Sequence, residues 1–361
     1  MTLRLIEGWD HFSDYVLKGY IRVGPTGTAA REQTGTFAPG RLGGRAMNIS
    51  CQADGDIGAF QVDFSVYKMF GGATYNEMIF GFAIRTDANF LQSNRGTVSF
   101  FSAGGARIAS FIIEVTSRTP GIGPFGVLPG GIVFSTTPHT NGVWTYYEMR
   151  LKVNGAAGEI ELRRNGGPDI PTTTYNAGTT PIGGIEFNTH SIGQDQIRNY
   201  HLDDIYCLST DGPAPWNTFL GDVRVETLFP TGEGADSDFT PLSGTDNALM
   251  VDEVIPDDDT TYNSGTAVGQ RDLYVMSNLQ TITGQVLGVQ ASLKAKKDTS
   301  GTRILGVSER QGGTTFDGAA FATLGTSYNH HLEPIRHLDP NGNPWTIAGV
   351  NASEWGVKVT S

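Results

Sequence analysis

A two-residue alternation of apolar and polar side chains recurs along this chain, and no long segment carries the 3.6-residue spacing of a buried helix face. Successive side chains of a strand point to opposite faces, so the pattern predicts half-buried strands. In AFQVDFSVYKMF, Phe60, Val62, Phe64 and Val66 share one face, and Gln61, Asp63 and Ser65 the other. MIFGFAIR places Phe80, Phe82 and Ile84 together. TVSFF and RIASFIIEV flank Gly104-Gly105, a hairpin signal. In VWTYYEMRLKVNGAAGEIELRRNG, Tyr147, Met149, Leu151 and Val153 align, and Ile160 and Leu162 answer them after a Gly-rich turn. GGIEFNT and HLDDIYCLST complete the set. Gly 48 and Pro 17 suit a turn-rich antiparallel sheet and penalise long helices. The fold class is therefore all-β, a sandwich or barrel. Its predicted core is Phe60, Val62, Phe64, Phe80, Phe82, Tyr147, Met149, Leu151 and Leu162.

A boundary is expected in DGPAPWNTFLGD, where Pro213 and Pro215 exclude a ladder strand and Asp211 could cap one helical turn reaching Leu220. This divides the chain into 1–210 and 211–361. In the second part VRVETLFP reads as a strand and GADSDFTPLSGTDN as a loop. QVLGVQASLKAKKD reads as a strand with Leu287, Val289, Ala291, Leu293 and Ala295 inward, and TRILGVSERQGG as its hairpin partner. A helical turn is expected from Asn351 to Trp355, and a last strand from Val357 to Thr360. No short-period repeat or heptad is present, so no fibre shaft is encoded.

The net charge of -12 argues against a nucleic-acid partner, because phosphate binding needs clustered Lys and Arg. Lys294, Lys296 and Lys297 read as the outer face of a strand. No apolar run approaches the length of about 18 that spans a bilayer, and MTLRLIEGWDHF lacks the apolar core of a signal peptide, so neither membrane insertion nor export is expected. Cys51 and Cys207 read as two buried free thiols, with a bridge between them left open. Only 17% of residues are charged, which leaves a neutral polar surface suited to neighbours or to sugars.

GIGPFG, Gly121 to Gly126, spells the dinucleotide-binding glycine pattern, but VLPGGIVF follows it where a helix is required, so we expect a loop. His330, His331, Glu333 and His337 offer metal ligands, yet Pro334 interrupts them and the spacing matches no common zinc site; a solvated or interface loop is expected. Asp54 with Asp56, Asp236 with Asp238, Asp257 to Asp259, and Asp339 in DPNGNP are acidic turns that Asx-turn bonding explains, with calcium left open. Glu159 and Glu161 alternate like the acids of a glycosidase strand, but Arg163 occupies the third place. No catalytic or cofactor-binding residue is assigned.

LIEGWDHF, GRLGGRAMNIS from Gly40 to Ser50, GVWTYYEMRLKV through ELRRNG, and HLDDIYCLS together resemble the laminin-G or concanavalin-like sandwiches carried by bacteriophage proteins. The remainder, from DGPAPWNTFLGD to the Trp-Gly-Val-Lys ending, resembles the C-terminal region of the same phage proteins. The resemblance implies an N-terminal concanavalin-like jelly-roll sandwich followed by a second β-rich domain. It implies a virion protein made in the host cytoplasm, placed at the tail, the baseplate periphery or the capsid surface. The implied partners are other virion proteins, copies of the same chain (a trimer by default) and a host-surface glycan. It transfers no catalytic residue. From the low charge and the aromatic content we also expect the 330–337 loop and the strand of Trp355 at a subunit contact.

Overall fold

The computed structural model describes residues 3–11, 21–23, 35–51, 63–87, 98–114, 116–124, 131–190 and 198–361. They are organised as two compact units, 1–9 with 20–225, and 10–19 with 226–361. The Pro-rich segment from 211, expected at the boundary, thus belongs with the first unit.

The first unit is built from β1 (Leu3–Glu7), β2 (Ile21–Val23), β3 (Gly35–Pro39), β4 (Arg45–Cys51), β5 (Asp63–Met69), β6 (Glu77–Thr86), β7 (Val98–Ser102), β8 (Arg107–Ile113), β9 (Pro120–Gly123), β10 (Val133–Phe134), β11 (Thr145–Lys152), β12 (Glu159–Arg164), β13 (Gly167–Thr174), β14 (Ile182–His190) and β15 (Arg198–Ser209). An eight-stranded antiparallel sheet runs β13-β12-β11-β6-β15-β4-β3, with β1 also paired to β15. A seven-stranded sheet runs β10-β9-β8-β7-β14-β5-β2. The predicted faces meet between them. Phe80 packs on Phe187 (5.8 Å between centroids), Phe82 on Phe111 (5.2 Å) and Phe111 on Tyr147 (4.9 Å). Phe80, Phe82, Tyr147, Met149, Leu151 and Leu162 are all fully buried, as the alternation required. Phe60, Val62 and the side chain of Phe64 lie outside the described residues, as do Asp54 and Asp56.

Local chemistry sets the turns. Gly105, at φ +89°, closes the β7–β8 hairpin where Gly104-Gly105 predicted it. Asn165 and Gly166, both left-handed, join β12 to β13. β15 carries a bulge: Asp203 faces Ala83 but Tyr206 faces Gly81, so β15 spends one residue more than β6, and Asp204 sits at φ +49°. Cys207 is a free, buried thiol, and burial raises its pKa. The side chain of Cys51 lies outside the described residues. Gly121 to Gly123 fall in β9, not in the expected loop, with the ladder to β8 running through them.

The second unit comprises β16 (Pro230–Ser237), β17 (Thr240–Pro241), β18 (Asn263–Ser264), β19 (Arg271–Met276), β20 (Ser292–Ala295), β21 (Ile304–Gln311), β22 (Thr314–Thr323), β23 (Asn329–Leu332), α1 (Ile347–Asn351) and β24 (Glu354–Val359). Its main sheet runs β16-β19-β24-β21-β22, and β17-β18 and β20-β23 are two-stranded ribbons. Several expectations fail here. β20 pairs with β23, whereas TRILGVSERQ pairs with β22 and β24. Val289, Ala291 and Leu293 do pack inward, against a cluster of Val307, Trp345, Val350 and Trp355, but without a ladder over most of that stretch. VRVETLFP holds no strand before Pro230, and the acidic GADS, read as a loop, is part of edge strand β16. Asp211 caps no helix; its carboxylate takes hydrogen bonds from Ser209 Oγ (2.6 Å) and Arg4. The helical turn comes earlier than expected because Thr346 Oγ1 accepts from Gly349 N at 2.9 Å and so starts α1 at Ile347. Trp345 and Trp355 are buried against each other at 5.9 Å, within the unit's own core.

Candidate functional site

Most acids singled out in the sequence are already engaged. On the outer face of β11 and β12, Arg150 pairs with Glu77 (2.6 Å), Glu159 (2.8 Å) and Glu161 (3.6 Å), while Arg163 holds Glu161 at 3.0 Å. Asp236 pairs with Arg271 (3.1 Å), and Asp238 accepts from its backbone N–H. Asp258 and Asp259 face Lys294 and Lys296, each at 2.5 Å. Asp339 accepts from Asn341 N and Asn343 N, an Asx-type turn. Among the described residues no three His, Cys, Asp or Glu side chains converge as a metal site.

The histidine segment, expected as a solvated or interface loop, begins on a strand instead. His330 and His331 lie on β23, paired to β20. Glu333 is buried and bound to Arg336 at 2.5 Å, and the same guanidinium holds the fully buried Glu309 of β21 at 2.9 Å. Arg336 also lies 5.2 Å over Trp355. Burial, only partly offset by Arg336, raises Glu309 to about 7, and burial raises Glu333 as well. Two carboxylates around one cation form an internal brace with no exposed carboxylate.

The richest constellation was not anticipated. Cross-strand register on the outer face of the eight-stranded sheet aligns Arg163, Glu148, Gly81 and Tyr206 in one row. Tyr206 OH donates to Glu148 Oε1 at 2.5 Å, and Gly221 N donates to the same oxygen at 2.8 Å. A Cβ on Gly81 would lie 2.1 Å from the Tyr206 ring, so only glycine admits the phenol there. Residues 219–225 cross this face as a strap. Leu220 N reaches Tyr206 OH, Asp222 grips Arg41 through both oxygens (2.6 and 2.7 Å), Val225 N donates to Asp204, and Phe219 lies under Arg163. Glu148 and Tyr146 become fully inaccessible, and Tyr206 nearly so. Burial raises Glu148 despite its hydrogen bonds, and burial brings Asp204 to about 6 against the pull of Val225 N and Arg41. Glu148 Oε2 is left without a hydrogen-bond partner. The available signal was parity alone: Glu148 occupies an outward position in YYEMR.

Two rows further along the same face, past Tyr146, Ala83 and Asp203, Arg85 faces His201 and His201 faces Asn48. Trp144, just ahead of β11, completes this row, with the Arg85 guanidinium 5.2 Å from its ring centroid and His201 edge-on at 6.3 Å.

No family model matches the chain, and no curated protein matches it in sequence. Among solved structures it is similar to a cellulose-induced protein, Cip1, at 12% identity over 52% of this chain and 90% of that one, with a TM-score of 0.38. It is similar to the alginate lyase vAL-1 from Chlorella virus at 14% identity over 56% and 100%, TM-score 0.37. A botulinum neurotoxin type C structure matches at 11% identity over 95% and 93%, TM-score 0.36. Likenesses at these scores transfer no residue role and no activity. The all-β, jelly-roll-like character of the chain rests on its own strands and sheets.

Proposed function

We propose that this chain is a non-catalytic structural component of a bacteriophage particle, seated at the tail and used in attachment to a host-surface glycan. The observation that carries the non-catalytic part is the strap. On the outer sheet face Glu148 is fully inaccessible, sealed beneath residues 219–225, and the acids beside it are neutralised by Arg150 and Arg163. Cleavage of a glycoside needs two carboxyl groups open to the same bond. The phage part rests on the sequence phrases given above. Labelling purified particles with an antibody to this chain tests it. Signal at the tail tip is expected, signal on the head would move the protein to a capsid-surface role, and unlabelled particles would end the reading.

A tail-borne glycan-cleaving enzyme is the second reading, favoured by one observation. Glu148 combines a raised pKa with an unpartnered oxygen and a hydrogen-bonded phenol, a pairing able to exchange a proton. Sugar release by the wild-type chain that Glu148→Gln abolishes would select it. Release abolished by Glu159→Gln or Glu161→Gln would do the same for the β12 acids.

A further inference from the structure

We propose that the row formed by Arg85, Trp144 and His201 is a binding site for a single carboxylated sugar unit, such as a hexuronate, within an otherwise neutral glycan. The proposal rests on the attachment reading and names its ligand class. Three observations point the same way. First, arginines of the first unit hold acids as a rule: Arg41 holds Asp222, Arg107 holds Glu186, Arg150 holds Glu77, Arg163 holds Glu161 and Arg164 holds Asp169. Arg85 has no carboxylate partner among the described residues, and its guanidinium lies instead over Trp144. A planar fork of donors with no acid to fill it matches a carboxylate in two parallel hydrogen bonds. Second, His201 is only 7% exposed, yet its Nδ1 makes no hydrogen bond; the nearest acid, Asp87, stands 3.8 Å away. A buried ring nitrogen left unpaired costs free energy, and a ligand hydroxyl that meets it as the ring turns recovers that cost. Third, Trp144 is half-buried and adjoins Val143, which is 51% exposed, so an apolar surface flanks the polar groups. The face of a sugar ring rests on such a surface while its carboxylate and hydroxyls reach Arg85 and His201.

The charge of the chain narrows the ligand. A net charge of -12 repels a dense polyanion at long range, whereas one isolated carboxylate meets only the local field of Arg85. A sparsely charged glycan therefore fits better than a polyuronate.

The test uses the full chain and titration calorimetry with two probes: an oligosaccharide carrying one hexuronate, and the same oligosaccharide with that carboxyl reduced to the alcohol. The wild type is expected to bind the acid at least about tenfold more tightly, the effect of one charge-assisted pair. Arg85→Gln should abolish the preference, and Arg85→Lys should keep part of it, since an ammonium keeps the charge without the fork. Trp144→Ala should weaken both probes alike, with unchanged far-ultraviolet circular dichroism as the folding control. Equal binding of the two probes by the wild type, or a preference that survives Arg85→Gln, overturns the carboxylate inference and leaves glycan attachment standing. Binding of neither probe overturns this site outright, while particle labelling judges the virion reading on its own.

Discussion

The two units bury antiparallel sheets with different materials. In the first, aromatic side chains from two sheets interlock, and Phe80, Phe82, Tyr147 and Phe187 have no exposed surface. In the second, the apolar residues divide into small clusters, one around Trp345 and Trp355 and another of Leu305, Ala322, Leu324 and Val359. Polar networks fill the rest. Asp272 is completely buried and accepts from Phe239 N (2.8 Å), Asn247 Nδ2 (2.8 Å) and Tyr274 OH (2.9 Å). Glu309, Arg336 and Glu333 form another such knot. A core of the first kind answers to volume, because deleted atoms leave a cavity. A core of the second kind answers to partners and protons, because an orphaned buried group keeps its desolvation cost.

Four measurements test that contrast. Phe82→Ala should cost about 3–5 kcal/mol in urea unfolding, with little change between low and high salt; a cost below about 1 kcal/mol would mean the first core is loosely packed. Asp272→Ala should cost about 1–3 kcal/mol, since it strands three donors while removing little volume; a neutral result would deny the second unit its polar core. The third is a pH effect. Glu309 is raised to about 7 in the folded chain, above its unfolded value near 4.5, so the folded state holds the extra proton between these limits. Its contribution is full below the lower value and is lost as pH rises through about 7. Asp317 runs the opposite way. Burial opposes ionisation, but Lys358, Ser308 and Arg271 bring Asp317 down to about 2, so its contribution is present above its unfolded value near 3.8 and is lost as pH falls through 2. Glu309→Gln should therefore flatten the fall in stability between about pH 4.5 and 7, and an unchanged slope there would contradict the assignment. The smallest effect is Lys358→Ala. It should cost under about 1 kcal/mol, because Lys358 is partly exposed and Asp317 keeps Arg271; a larger loss would make surface pairs part of what holds the second unit.

The same contrast explains what could be read in advance. Strands whose inner face is uniformly apolar announce themselves, as β6 and β11 did through Phe80, Phe82, Tyr147 and Met149. In the second unit buried acids occupy interior positions: Asp272 on β19 and Glu309 on β21 are inaccessible but look solvent-facing by residue type. The end of edge strand β16, Gly234 to Ser237, carries Asp236 and no large apolar residue and so read as a loop. The pairing of β20 with β23 was hidden because the nearer strand, β21, offered as good a pattern and β22 and β24 took both its edges. The Glu148 site was beyond local reading altogether. It joins Arg41, Glu148, Tyr206 and the strap, which become neighbours through register and tertiary contact alone.

The bulge in β15 gives that strand two phases. Before Asp204 the even-numbered Tyr200 and Leu202 face inward and the odd-numbered His201 and Asp203 outward; after it, Cys207 is inward and Tyr206 outward. Removing one residue there would not merely shorten the strand. It would turn one half inside out, driving the phenol of Tyr206 into the aromatic core and the Cys207 thiol onto the sheet's outer surface. Length changes are therefore barred at this point, and the row of Arg85 and His201 and the strapped row are kept on one surface by a single inserted residue.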